Sequence, residues 1–328
     1  MESRKLQKTG GSTLIVSLPK KWTKKNKLDS GSEVRLLQQA NGTMTIDPGQ
    51  PGPNKKISTV KCHDEKNQHL FRELIGAYLA GSTEIRVTGN PRLTVKDRKT
   101  IRRFSASVIG IEIIEEEAAQ AILTDMSNPG VLPFRRAIKR LYKIVSAMYN
   151  DSILILEGSE DLATDVVDRD EEADKLQWFI ERQFNMMLED SSLSRKLKAT
   201  SFEGVVYSNV ARYLERIADH ACRFAEVGYV AGLIPGRKML PLAKEASEIL
   251  ENAMKSFINN DPRKATVVID KGKKTVRKAQ TYFENRYKKK MEHPLEFSIA
   301  MDAIMRTIAY STDISEAAIN YSAKMGNK

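Results

Sequence analysis

Two pairs of carboxylates have the spacing most able to do chemistry in this sequence. Asp170 and Asp174 lie four residues apart, and so do Glu215 and Asp219. On a helix, each pair projects from one face. Four carboxylates converging from two helices repel one another unless a cation neutralises them, and an all-oxygen set suits Mg²⁺, Mn²⁺ or iron, with zinc admissible. Spacing alone leaves a second reading open, because a solvated acidic helix face has the same pattern. The other candidate set is cationic. Arg4, Lys5 and Lys8 open the chain, and Lys20, Lys21, Lys24 and Lys25 follow its first apolar run. Lys dominates this set, which favours point-charge neutralisation of phosphates over bidentate reading of bases. A soluble basic turn has the same composition. No Gly-rich phosphate loop, metalloprotease His pair or nucleophile–base pair accompanies either set, so no enzyme activity is expected.

The 328 residues exceed one ordinary core, and two or three domains are expected. Hydrophobic and charged fractions of 41% and 29% are those of a globular protein. No apolar run reaches the roughly 18 residues of a membrane span, and no signal-like segment follows Met1. Cys62 and Cys222 lack metal-ligand spacing and a disulfide framework, which suits a reducing compartment. The chain is therefore expected in the cytoplasm. Its net charge of +11 is concentrated: residues 1–50 hold nine Lys/Arg against four Asp/Glu, and residues 261–290 hold eleven against three. Patches of this kind suit nucleic acid, an anionic membrane face or an acidic partner. For residues 262–290, whose Lys and Arg run around most of a helix, a solvated face is the leading reading.

The elements that must position these groups fall into three stretches. Residues 1–50 read as about four short strands: Ser12–Leu18 after Gly10-Gly11, then a helical turn over Lys20–Lys27, then Glu33–Gln38 and Thr43–Ile46 joined at Asn41-Gly42. Such a short stretch cannot bury a self-sufficient core, and dimerisation is the usual remedy. Trp22 is read as core. After the Pro/Gly linker at 48–53, residues 55–127 alternate strand and helix and form a small α/β connector with no assigned chemistry. Its His63 and His69 form no metal pattern.

From residue 131 to 328 the apolar period is helical. Six helices are expected near 133–157, 160–190, 201–230, 238–259, 262–290 and 295–323, with short links that favour an antiparallel bundle. The region repeats itself, about 131–232 and 236–325. Arg216–Glu226 can be laid over Arg306–Glu316, and Val166–Asp170 over Val267–Lys271. The partner of Asp174 in the second half is Lys274, while Met305 and Ala309 stand for Glu215 and Asp219. A second acidic cluster is not expected. His220 is read as a packing residue and Cys222 as buried. The fold class is thus multi-domain α+β.

Arg4-Lys5, Gly-Ser-Thr-Leu-Ile-Val-Ser-Leu-Pro-Lys-Lys-Trp (11–22) and Leu28-Asp29-Ser30-Gly31-Ser32-Glu33-Val34 resemble the AbrB/SpoVT family over about 45 residues. The resemblance implies a swapped-hairpin β-barrel, in which two chains interlock and offer basic side chains to DNA. Tyr213–Ala221 (Tyr-Leu-Glu-Arg-Ile-Ala-Asp-His-Ala), with Asp170-x-x-x-Asp174 upstream, resembles the PhoU family over about 190 residues. That resemblance implies tandem three-helix bundles, a multinuclear metal cluster on Asp170, Asp174, Glu215 and Asp219, and control of phosphate uptake. Together they imply a DNA-binding transcriptional regulator of phosphate transport. The alternative is an adaptor that governs a phosphate transporter, or a signalling partner, by protein contact and leaves DNA alone.

Overall fold

A computed structural model describes residues 2–38, 42–49, 56–62, 69–159, 161–231, 239–288 and 293–326. The chain divides into two compact units, Met1–Lys55 and Lys56–Lys328.

The first unit is built of two antiparallel hairpins. Strands β1 (Gln7–Thr9) and β2 (Thr13–Ile15) pair with Lys8 opposite Leu14. Helix α1 (Lys20–Lys25) follows, and β3 (Arg35–Gln38) pairs with β4 (Met44–Asp47). Arg4 and Lys5 precede the first strand, which starts only at Gln7. Asn41, the first half of the expected turn dipeptide, lies outside the described residues, while Gly42 takes the left-handed φ of +82° that such a turn requires. No described residue of this unit is buried. Leu6, Leu14, Ile15, Val16, Leu36 and Met44 are all exposed.

The second unit starts with a four-stranded sheet. Strands β5 (Ile57–Lys61), β6 (Glu84–Thr88), β7 (Ile111–Glu116) and β8 (Gln120–Asp125) run in the order β5-β6-β8-β7, with β5 and β6 parallel and the other pairs antiparallel. Helices α2 (Leu70–Leu79) and α3 (Val95–Ser107) join β5 to β6 and β6 to β7. The side chains of Leu74, Tyr78, Ile85, Val87, Phe104 and Leu123 form a core of their own. Thr94 and Asp97 close the start of α3 with a capping box. A mixed sheet with two crossover helices is what the alternating pattern of residues 55–127 required.

The helical region follows as α4 (Phe134–Leu156), α5 (Leu162–Glu189), α6 (Ser191–Leu197), α7 (Ser201–Ala231), α8 (Met239–Ile258), α9 (Pro262–Tyr287) and α10 (Pro294–Met325). The six expected long helices are present. The short α6 was not expected: its seven residues carry only two apolar side chains, Leu193 and Leu197, and Asp190 caps it by accepting from the Ser192 N–H at 2.8 Å. Helices α4, α5 and α7 pack on one another, as do α8, α9 and α10, and α7 against α10 joins the halves. A continuous apolar core runs through both.

Burial fixes the register of the repeat. Ala137, Ile138, Leu141, Met148 and Tyr149 of α4 are buried at the intervals of Leu242, Ala243, Ala246, Ala253 and Met254 in α8. Leu214, Ile217, Ala218 and Ala221 of α7 match Ile304, Thr307, Ile308 and Ser311 of α10, as the sequence alignment had it. For α5 and α9 the alignment had slipped. Val166, Ala173, Leu176 and Ile180 correspond to Ala265, Gly272, Thr275 and Ala279, so Asp170 and Asp174 stand opposite Ile269 and Lys273, not Lys271 and Lys274. Two adjacent valines on each helix had drawn the alignment, whereas the buried small residues define it. No helix among the described residues is long and apolar enough to cross a membrane.

Candidate nucleic-acid interface and acidic groove

In the first unit, Lys5 and Lys8 are exposed on the first hairpin and its approach, and Lys20, Lys21, Lys24 and Lys25 are exposed along and beside the single turn and a half of α1. Arg4 pairs with Glu2. Among the described residues no carboxylate pairs with any of these lysines, so their charges face solvent at full strength within a Debye length of roughly 8 Å at physiological salt. Pro19 starts α1 from an extended conformation, and its carbonyl accepts from the Trp22 and Thr23 N–H groups at 2.9 and 3.0 Å. Trp22 is half-buried. The turn thus presents lysines on a short, locally hydrogen-bonded element, which suits phosphate contacts and offers no guanidinium fork for base reading.

In the second unit, the packing of α5 against α7 brings Asp170, Asp174, Glu215 and Asp219 into one groove. Burial and then the Asp170, Asp219 and Glu171 charges push the Asp174 carboxyl up to about 7. Burial, then Asp219, with Asp174 and Asp170 adding, pushes Glu215 up to about 7 against the lowering effect of Arg216. Asp170 is raised by burial and by Asp219, with the nearby Cys222 thiol acting the other way. Each of these three carboxylates is therefore destabilised in its charged form, first by burial and then by neighbouring carboxylates, Asp219 among them in every case. Arg216, on the outer side of α7, reaches Glu215 at 3.6 Å and Asp219 at 3.4 Å. The sequence reading overlooked it, although it lies inside the quoted motif, between the two acids.

The residues suit a hard cation in charge and donor type. Asp170 Oδ1 is buried and has no hydrogen-bond partner among the described residues, an acceptor that a cation would satisfy. As placed, no three His, Cys, Asp or Glu side chains among the described residues close into a ready-made cage. The four carboxylates share one acidic groove. The second half has nothing comparable: Ile269, Lys273, Met305 and Ala309 occupy the corresponding positions. His220 is buried with its Nδ1 unpartnered among the described residues, its ring centroid 6.1 Å from that of Tyr310, and burial lowers its pKa. It packs between α7 and α10, as expected. Cys222 is buried too, and its thiol donates to the Val166 carbonyl at 3.7 Å.

The family model described as the PhoU domain matches residues 138–228, a span that contains all four carboxylates. Over that span the chain is similar to the PhoU domain. The matched span is the first three-helix half, which has the acidic groove, and it stops before the half in which the carboxylates are replaced. A second model, described as antidote-toxin recognition MazE, bacterial antitoxin, matches residues 7–54, over the segment read as AbrB/SpoVT-like. That match takes in Lys8, Lys20, Lys21, Lys24 and Lys25 and begins after Arg4 and Lys5. Among solved structures, the crystal structure of PhoU from Pseudomonas aeruginosa is similar at 16% identity and a TM-score of 0.48, covering 59% of this chain and 96% of that one. No curated protein matches the sequence. The PhoU match suggests phosphate-uptake regulation, and the MazE match is compatible with DNA binding.

Proposed function

We propose that this protein is a cytoplasmic, DNA-binding transcriptional regulator of phosphate transport, dimeric through residues 1–50, whose PhoU domain senses phosphate status. The observation that supports this reading most is the nature of the first unit. It exposes six large apolar side chains, buries none of its described residues, and displays unpaired lysines on the same short hairpins and turn. Covering the apolar side chains with a second copy supplies the core the unit lacks, and leaves a doubled array of ammonium groups for a duplex.

The PhoU domain contributes the carboxylates. Asp170, Asp174, Glu215 and Asp219 would hold a divalent cation or a cluster. When bound, that metal would offer Lewis-acid positions to which a phosphate oxygen binds. Arg216 partly offsets the acidic charge on the outer side of α7.

The test is retention of duplex DNA from phosphate-transport promoters by the full chain, across a salt series, beside the Lys20→Ala/Lys21→Ala variant and a chain lacking residues 1–55. Specific, salt-sensitive retention that both changes weaken supports the proposal. Retention unaffected by either change rejects it. Absence of retention, with binding to a transporter component instead, favours the adaptor reading. The MazE description, which names recognition of a protein toxin, gives that alternative its footing.

A further inference from the structure

We propose that the groove between α8 and α9 is a binding site for a nucleoside polyphosphate. The repeat explains why the groove exists. In the first half, the outward face of α5 is covered by residues 56–127: Trp178 lies edge-on to Phe71 with ring centroids 6.3 Å apart, Arg182 bonds to Asp125 at 2.6 Å, and Met186 lies under Gly81. The buried-residue register places Lys274, Arg277, Thr281 and Asn285 of α9 where α5 has Lys175, Trp178, Arg182 and Met186. No described residue covers that face of α9. In place of the sheet unit there is a cavity of about 870 Å³ between α8 and α9. Ligand pockets typically occupy roughly 300–1,000 Å³. It shares no lining residue with the acidic groove.

The lining chooses the ligand. Lys274, Arg277, Lys278 and Arg286 contribute four cations against the single carboxylate of Glu245. That carboxylate reaches Lys278 at 3.3 Å and also accepts from the Thr275 hydroxyl at 2.8 Å. Among the described residues, no carboxylate pairs with Lys274, Arg277 or Arg286. The excess suits a ligand of three or four negative charges, and the arginines offer the planar fork that phosphate oxygens accept in pairs. The remaining surface is of another kind. The half-buried ring of Tyr282, edge-on to Phe297 with centroids 5.9 Å apart, shares the lining with Pro241 and Leu242, and Asn285 and Thr281 supply hydrogen-bonding groups. Inorganic phosphate or pyrophosphate would leave that apolar, hydrogen-bonding part of the groove unused. A nucleoside di- or triphosphate fills both parts, its base against Tyr282 and its phosphates on the basic side.

Equilibrium titration of the full chain with ATP, GTP, pyrophosphate and inorganic phosphate at about 0.15 M salt tests this proposal. Saturable binding of ATP or GTP is expected, at least tenfold weaker in Arg277→Ala/Lys278→Ala. Tyr282→Leu should weaken the nucleotide several-fold while leaving pyrophosphate unchanged. Lys20→Ala/Lys21→Ala, which removes charge from the first unit, should leave all four titrations as they were. The substituted α9 cations are exposed, and helical circular dichroism with a thermal midpoint checks that each variant folds. Absence of saturable nucleotide binding up to millimolar concentration overturns the proposal, and so does binding indifferent to Arg277→Ala/Lys278→Ala. Equal affinity for pyrophosphate and nucleotide, with no effect of Tyr282→Leu, overturns the nucleoside assignment.

Discussion

Arg182 Nη2 donates to Asp125 Oδ2 at 2.6 Å where α5 meets the end of β8, and the two side chains are all but sealed from water, at 1% and 5% exposure. The same guanidinium donates to the Ser82 carbonyl at 2.8 Å and to the Tyr78 carbonyl, and lies 4.6 Å from the Tyr78 ring centroid. A single buried cation thus ties three parts of the sheet unit to the helix that also carries Asp170 and Asp174. Asn185 adds a bond to the Leu79 carbonyl at 2.9 Å. The connector read as a separate segment in the sequence packs on the helical region within one compact unit.

Removing only the anion should therefore be severe. Asp125→Ala leaves a desolvated guanidinium uncompensated and is expected to lower stability by about 3–5 kcal/mol. Asp125→Leu combined with Arg182→Met buries no charge and should recover part of that loss, although the bond from the Ser127 N–H to Asp125 is forfeited. Urea unfolding reads both. An Asp125→Ala midpoint equal to wild type would mean that the pair holds nothing together.

The long helices were legible because their apolar residues recur over many turns, and the caps at Thr94 and Asp261 and the breaks at Pro262 and Pro294 are local signals. The four carboxylates were legible as two i,i+4 pairs. That they share one groove depends on α5 packing against α7, which spacing within each helix cannot state. Arg182 could not be picked from sequence. A lone arginine on a helix is ordinarily solvated, and its partner Asp125 lies at the end of a strand 57 positions away. The register of α9 was misread because Gly272 and Thr275 do not look like core residues, although both are buried.

Gly272 offers a test of that register. In an open helix interior, alanine is favoured over glycine by about 1 kcal/mol. Here a Cβ would lie 2.5 Å from Thr312 Cγ2 and 3.4 Å from Ile308 Cγ2. Both neighbours are β-branched and stiff at χ1, so overpacking of about 1–3 kcal/mol should win. Gly272→Ala is expected to destabilise by roughly 1 kcal/mol net, from the same two terms. A thermal midpoint raised above wild type would show that α9 and α10 are not so closely set.

The lysines of α1 make a quantitative prediction about salt. Each phosphate neutralised contributes about −0.9 to the slope of log K against log salt on duplex DNA. If Lys20 and Lys21 each contact one phosphate, Lys20→Ala/Lys21→Ala should make the slope shallower by roughly 1.8 per chain, by the same rule. Sequence preference should change little, since phosphate contacts carry no base information. Filter retention over a salt series measures it. An unchanged slope with lost affinity would point to a disturbed hairpin instead of lost charge.

On the proposed metal-binding reading, the acidic groove ties pH to metal. Asp174 and Glu215 have ordinary values of 3.8 and 4.5 and are both pushed up to about 7 in the folded chain. Between those values the folded state holds protons that the unfolded state has released, so folding is favoured there relative to higher pH. This contribution is complete below about pH 4 and fades as pH rises through about 7, where the carboxylates must ionise beside one another. In chelator, the thermal midpoint should therefore fall between about pH 4 and 7 and level off above that, and Asp174→Asn/Glu215→Gln should flatten that fall, since neither replacement titrates. A divalent cation replaces the missing protons, so adding Mn²⁺ or Mg²⁺ near pH 7.5 should raise the wild-type midpoint and leave the variant unmoved. At a free metal concentration a hundredfold above the dissociation constant, the gain is about 2.7 kcal/mol. Differential scanning calorimetry with and without metal separates the two effects. A pH slope retained in the variant would place the titration elsewhere, and a wild-type midpoint indifferent to every cation tried would leave the carboxylates as a strained but metal-free face.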